Sequence, residues 1–118
     1  MIRVCVCGGR DYQDKDRVYA VLGSLHKIRQ DFKIIQGGAK GADMLAAQWA
    51  VEHGVPYETF EADWEKHNRA AGPIRNAEML KSGIDMLVAF PGGSGTANMI
   101  SICEKEGIKV YKIKADID

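Results

Sequence analysis

The chain has no net charge, with 16 basic residues against 16 acidic ones. That balance argues against a broad electrostatic nucleic-acid surface, although a local basic pocket stays compatible with it. Cysteine is scarce and odd in number: Cys5, Cys7 and Cys103. Cys5 and Cys7 lie two apart in an apolar run, so on a strand they share a face. Neither a disulfide framework nor a zinc spacing results, and the expectation is reduced packing thiols without a metal. No stretch approaches the roughly 20 apolar residues that span a bilayer, and no basic segment leads into an apolar one. No membrane association is expected, and the compartment expected is the cytoplasm. Repeats, low-complexity tracts and a domain linker are missing too.

What is there is the composition of an ordinary globular protein, 46% hydrophobic and 27% charged, which excludes a disordered chain. The length of 118 residues suits one domain, residues 1–118, with a modest core. Chains of this size gain stability by pairing, so a homodimer is compatible with the sequence.

Strand and helix patterns alternate from end to end. Ile2–Cys7 reads as a buried strand that stops at Gly8-Gly9. A helix follows from an Asp14 N-cap, with Val18, Val21, Leu22, Leu25 and Ile28 expected on one face. Lys33–Gln36 is a second strand ending at Gly37-Gly38, and a helix over Ala42–His53 closes at Gly54. Pro56–Phe60 is the third strand. The polar stretch Glu61–Gly72 reads as a long functional loop, with Pro73 at the first position of the next helix. Met86–Phe90, a helix from Gly95 or Thr96 to Glu106, and Lys109–Ile113 complete the pattern, leaving a tail over Ala115–Asp118. Apolar strands alternating with helices predict an α/β, Rossmann-like, doubly wound parallel sheet of five strands in the order 3-2-1-4-5.

In that order the three strands that end in paired glycines are neighbours. Ligands of open α/β sheets bind beyond the carboxyl ends of the strands at the switch point, here between strands 1 and 4. Glycines admit close approach of backbone N–H groups to an anion, and the following helices aim their N-termini at the same place. Neither G-x-G-x-x-G nor G-x-x-x-x-G-K-[ST] is present, so neither a dinucleotide fingerprint nor a P-loop is indicated. The candidate ligand-binding residues are Gly8, Gly9, Arg10 and Asp11 in the first turn. In the second they are Gly37, Gly38, Lys40, Gly41 and Asp43. The third adds Pro91, Gly92, Gly93, Ser94, Gly95 and Thr96. Asp43 is expected to support a turn or cap, with a ribose contact as the other role. Trp64 and His67 are candidates to stack on a base, and Arg75 to contact phosphate in bidentate fashion.

Five segments occur in register: Gly8–Tyr12, Gly37–Asp43, Ala62–Trp64, Ala71–Asn76 and Phe90–Thr96. Together they resemble the SLOG superfamily in its small YspA-like branch of bacterial and phage proteins, over nearly the whole chain. The resemblance implies a site that senses or processes nucleotide-derived ligands, with no further cofactor. The related Lonely-guy enzymes use P-G-G-x-G-T-x-x-E to cleave the N-glycosidic bond of a nucleoside monophosphate. Here Met99 stands in place of that glutamate, and Arg75 is the candidate for the family's arginine. Such cleavage needs a carboxylate, which a thioether cannot replace; Glu78, one turn beyond Arg75, or Asp43 is the candidate substitute. The DNA-processing protein DprA carries a motif similar to Gly37–Asp43 and binds single-stranded DNA. Neutral charge and few aromatics fit that activity less well here. The expectation is a nucleotide-binding domain that senses or sequesters. A phosphoribohydrolase and a single-stranded nucleic-acid binder stand as alternatives.

Overall fold

The computed structural model describes residues 1–115. Apart from Ala115, the expected tail lies outside the described residues. Five parallel strands form one sheet in the order β3-β2-β1-β4-β5: β1 (Ile2–Cys7), β2 (Phe32–Gln36), β3 (Tyr57–Thr59), β4 (Met86–Ala89) and β5 (Lys109–Lys112). The predicted fold class and strand order therefore hold. β1 pairs with β2 on one side and with β4 on the other, so the chain reverses its direction of winding across that seam.

Alternation along the strands divides the core in two. Val4, Val6, Phe32, Ile34, Val88 and Phe90 face one side, against α1 (Lys15–Ile28) and α2 (Ala42–Glu52), where Val18, Leu22, Ala46 and Trp49 are buried. Cys5, Cys7, Ile35, Leu87 and Ala89 face the other. There α4 (Ala71–Lys81) and α5 (Ser94–Lys105) supply Met79, Met99 and Cys103. The three thiols are free and buried, with Cys5 and Cys7 on one sheet face as their spacing predicts and Cys103 in the same cluster. No helix among the described residues is long and apolar enough to cross a membrane.

Four local expectations are corrected. Ile28 is 81% exposed; six residues beyond Leu22 it lies about 120° around the helix from it. The stretch after β3 is not an irregular loop. Asp63 accepts the Lys66 amide at 3.1 Å and starts α3 (Trp64–His67), which passes through a 3₁₀ turn (Asn68–Ala70) into α4. That turn begins the helix at Ala71, so Pro73 is its third residue rather than its first, still where no intrahelical donor is required. α5 starts at Ser94, with Gly93 as its N-cap. The remaining strand and helix ends agree with the sequence to within one residue.

Candidate functional site

The three glycine turns do meet at the carboxyl end of the sheet, and their backbones are laced together. The Gly9 amide donates to the Pro91 carbonyl at 2.8 Å, and the Gly9 carbonyl accepts from Tyr12 and, at 3.4 Å, from Ala42, the first residue of α2. Two glycines are required for this packing. Gly41 has φ +84° and a side chain there would strike the Gly9 carbonyl oxygen; a Cβ on Gly92 would lie 2.6 Å from the Gly9 nitrogen. Gly41, Pro91 and Gly92 thus join the turns to one another and line neither of the clefts described next.

Two clefts open at this end. The first, about 510 Å³, lies between the β1 turn, α4 and the start of α5, and is lined by Gly8, Gly9, Arg10, Asp43, Trp64 and Arg69. Arg75, Asn76, Gly93, Ser94, Gly95, Thr96 and Asn98 also line it. The second, about 530 Å³, is bounded by Arg10, Asp11, Gly37, Gly38, Lys40, Glu61, Trp64 and Arg75. Of the residues proposed from sequence, these walls include all but Gly41, His67, Glu78, Pro91 and Gly92. Glu78 is exposed. It sits about 200° around α4 from the inward-facing Asn76, so helical geometry turns it away from the site. His67 lines neither cleft.

Some of the expected donors are spent inside the first and second turns, while the Gly8 and Arg10 amides have no acceptor among the described residues. In the second turn Asp43 accepts from the Gly37 amide at 3.1 Å and the Ala39 amide at 3.3 Å. The Gly38 amide donates to Gln36 Oε1 at 2.5 Å. The Gly9 amide is spent on Pro91. At α5 the case differs: no side chain caps the helix, and its first internal bond runs from the Ala97 amide to the Gly93 carbonyl at 3.0 Å. The Ser94, Gly95 and Thr96 amides therefore have no acceptor among the described residues, and all three residues line the first cleft. Unpaired amides at a helix N-terminus carry the positive end of its dipole.

Charge adds to this. The first cleft holds three guanidinium groups, Arg10, Arg69 and Arg75, against one carboxylate, Asp43. Burial raises the Asp43 carboxyl to about 6; the Ala39 amide, the Arg75 charge, the Gly37 amide and the Arg10 charge act in the opposite direction. Asp43 thus serves the turn-supporting role expected of it. Arg75 is anchored by the Gly37 carbonyl at 2.6 Å from Nη1 and by Asn76 Oδ1 at 3.0 Å from Nε, and it borders both clefts. Met99, in the position of the family glutamate, is wholly buried among the Cys5, Cys7, Met79 and Cys103 side chains.

Sequence reasoning missed Asn76 and Asn98. Asn76 is buried and donates through Nδ2 to the Gly95 carbonyl at 3.2 Å and to Asn98 Oδ1 at 3.0 Å. The available signal was a polar residue on the inward face of α4, between Gly72 and Met79. Arg69 was read only as part of the polar stretch Glu61–Gly72.

Comparison with known proteins shows the family and the fold. A family model described as "YspA, cpYpsA-related SLOG family" matches residues 2–67. The "Gene 61 protein" of Mycobacterium phage D29 is 37% identical over 118 residues, spanning 93% of this chain and 94% of the phage protein. The X-ray structure of DNA processing protein A (DprA) from Streptococcus pneumoniae superposes with a TM-score of 0.79 at 17% identity. That match covers 99% of this chain and 52% of DprA, so the chain spans about half the length of that protein and shares its fold. The chain belongs to the YspA, cpYpsA-related SLOG family.

Proposed function

We propose that this protein binds a nucleotide or nucleotide-derived molecule in the first cleft, as a cytoplasmic sensing or sequestering domain. The observation that carries the reading is the open N-terminus of α5: three unpaired amides face a cleft bordered by three arginines. A phosphate group is the anion suited to such a place, because its oxygens accept from several donors at once. Arg10, Arg69 and Arg75 supply countercharge, while Trp64, at 46% exposure, offers a face to the base. The cleft volume is within the range of small-molecule sites.

Binding is favoured over glycosidic hydrolysis because Met99 packs in the core and leaves no carboxylate at that position. Asp43, the carboxylate in the first cleft, has Oδ2 committed to two amides. The test is a panel of nucleoside monophosphates and their dephosphorylated forms, measured by calorimetry, with chromatography for released base. The expected result is a preference of about a hundredfold for the phosphorylated form, from charge-assisted bonds worth about 1.5–3 kcal/mol each, with no free base. Equal affinity for both forms contradicts the phosphate site; turnover contradicts the pure-binding reading.

A further inference from the structure

A carboxamide has a donor end and an acceptor end, and its fixed neighbours decide which faces where. Two such groups stand in line behind Arg75. The Arg75 Nε can only donate, and it meets Asn76 at 3.0 Å, so the atom it meets is Oδ1. The other end of Asn76 lies 3.2 Å from the Gly95 carbonyl, which can only accept, so that end is Nδ2. Two independent partners therefore fix the same orientation. The same Nδ2 lies 3.0 Å from Asn98, and the atom receiving it is the Asn98 oxygen. Asn98 Nδ2 is left without a protein partner among the described residues. Among the described residues no side-chain nitrogen or oxygen is both sealed from solvent and unpaired, so this nitrogen reaches solvent, and Asn98 lines the first cleft.

We propose that Asn98 is a ligand-binding residue whose Nδ2 donates to an oxygen of the bound phosphate group, with Asn76 as its positioning residue. The proposal rests on the phosphate reading given above and adds a specificity element to it. Asn98 lies one turn beyond Ser94 on α5. Side chains on a helix lean toward its N-terminus, so the carboxamide reaches back toward the three open amides. The cleft is then rich in donors at that point: the Ser94, Gly95 and Thr96 amides, Asn98 Nδ2, and the arginines. Such a place selects a group that only accepts, which is a phosphate oxygen stripped of its protons.

Asn98→Asp preserves the size of the side chain and keeps an acceptor for Asn76. It also turns a negative oxygen toward the ligand in place of a donor. With AMP and GMP as probes, wild type is expected to bind, Asn98→Ala to bind about tenfold more weakly, and Asn98→Asp about a hundredfold more weakly. In nitrogen-labelled protein the Asn98 side-chain amide resonances are expected to shift on titration with AMP. Asn76→Asp keeps the acceptor for Arg75 but loses the donor to Asn98. Its weakening should therefore not add to that of Asn98→Ala in the double variant, whereas a merely structural role gives additive losses. If wild type binds AMP and adenosine equally, the phosphate reading fails and this proposal with it. If wild type prefers AMP but Asn98→Asp binds it within about twofold of wild type, the Asn98 assignment alone is overturned. Should Asn98→Asp fail to fold, Asn98→Ala and the resonance decide, and unchanged affinity with an unmoved signal overturns the assignment.

Discussion

The guanidinium of Arg10 lies 5.0 Å from the centre of the Trp64 ring, and this pair borders both clefts at once. Its partners come from distant parts of the chain, the turn after β1 and the first residue of α3. The contact is exposed on the Trp64 side, so its own stabilisation is modest, about 0.5–1 kcal/mol. Its consequence is geometric: a flat aromatic surface stands beside the amides that start α5.

Trp64 is therefore expected to contact the base and not the phosphate. Trp64→Ala should weaken AMP about tenfold, in line with about 1–3 kcal/mol for base–aromatic stacking. Ribose 5-phosphate should bind both proteins within about twofold. Calorimetry decides between them, and equal losses for the two ligands contradict the assignment. Fluorescence gives a second readout, because Trp64 is 46% exposed while Trp49 is 1% exposed and buried in the core. Quenching by AMP should disappear in Trp64→Phe.

The Asp43 carboxyl gives the protein a pH signature. Burial raises it from 3.8 to about 6 in the folded state. Between those values the folded protein holds more protons than the unfolded one, so this group's contribution is full below about pH 4 and is lost as pH rises through about 6. A shift of about two pH units corresponds to at most about 3 kcal/mol. Urea denaturation of wild type and Asp43→Asn at pH 4 and pH 7 should show wild type losing stability relative to the variant over that interval. Parallel behaviour of the two proteins contradicts it.

Two glycines separate backbone need from tolerance. Gly41 combines φ +84° with a first turn packed against it, so Gly41→Ala should cost more than about 2 kcal/mol through strain and collision with the Gly9 carbonyl. Gly23 lies inside α1 with open space where a Cβ would go. Gly23→Ala should stabilise by about 0.5–1 kcal/mol, as glycine is a poor helix former. Thermal denaturation of the two variants checks the opposite signs.

The parallel sheet and its order were legible because β1, β2 and β4 are short, largely apolar runs ended by glycine or proline, strands alternate with helices, and handedness leaves few topologies. Cys5 and Cys7 illustrate it: two residues apart, they settle on one sheet face beside Cys103. The position of the candidate site was legible for the same reason, since the glycines mark the carboxyl ends of three adjacent strands. Which amides remain open was not. That depends on Asp43, Gln36 and Pro91 consuming donors of the first and second turns, through contacts that no local pattern encodes. Asn76 and Asn98 escaped notice because their meaning arises only when α4 and α5 pack side by side. Trp64 was legible as a candidate, while the short helix that presents it depends on the Asp63 cap, hidden in a polar stretch.

The central claim is that the N-terminus of α5 holds the phosphate of a nucleotide, and Ser94→Pro tests it most directly. Ser94 is the first helical residue, the position that proline favours in a helix, and proline there removes one open amide. Calorimetry with AMP and adenosine, beside a thermal melt, is the measurement. The account predicts an unchanged or raised melting temperature, AMP affinity reduced at least about tenfold, and adenosine affinity unchanged. A folded Ser94→Pro protein that binds AMP as tightly as wild type would contradict it.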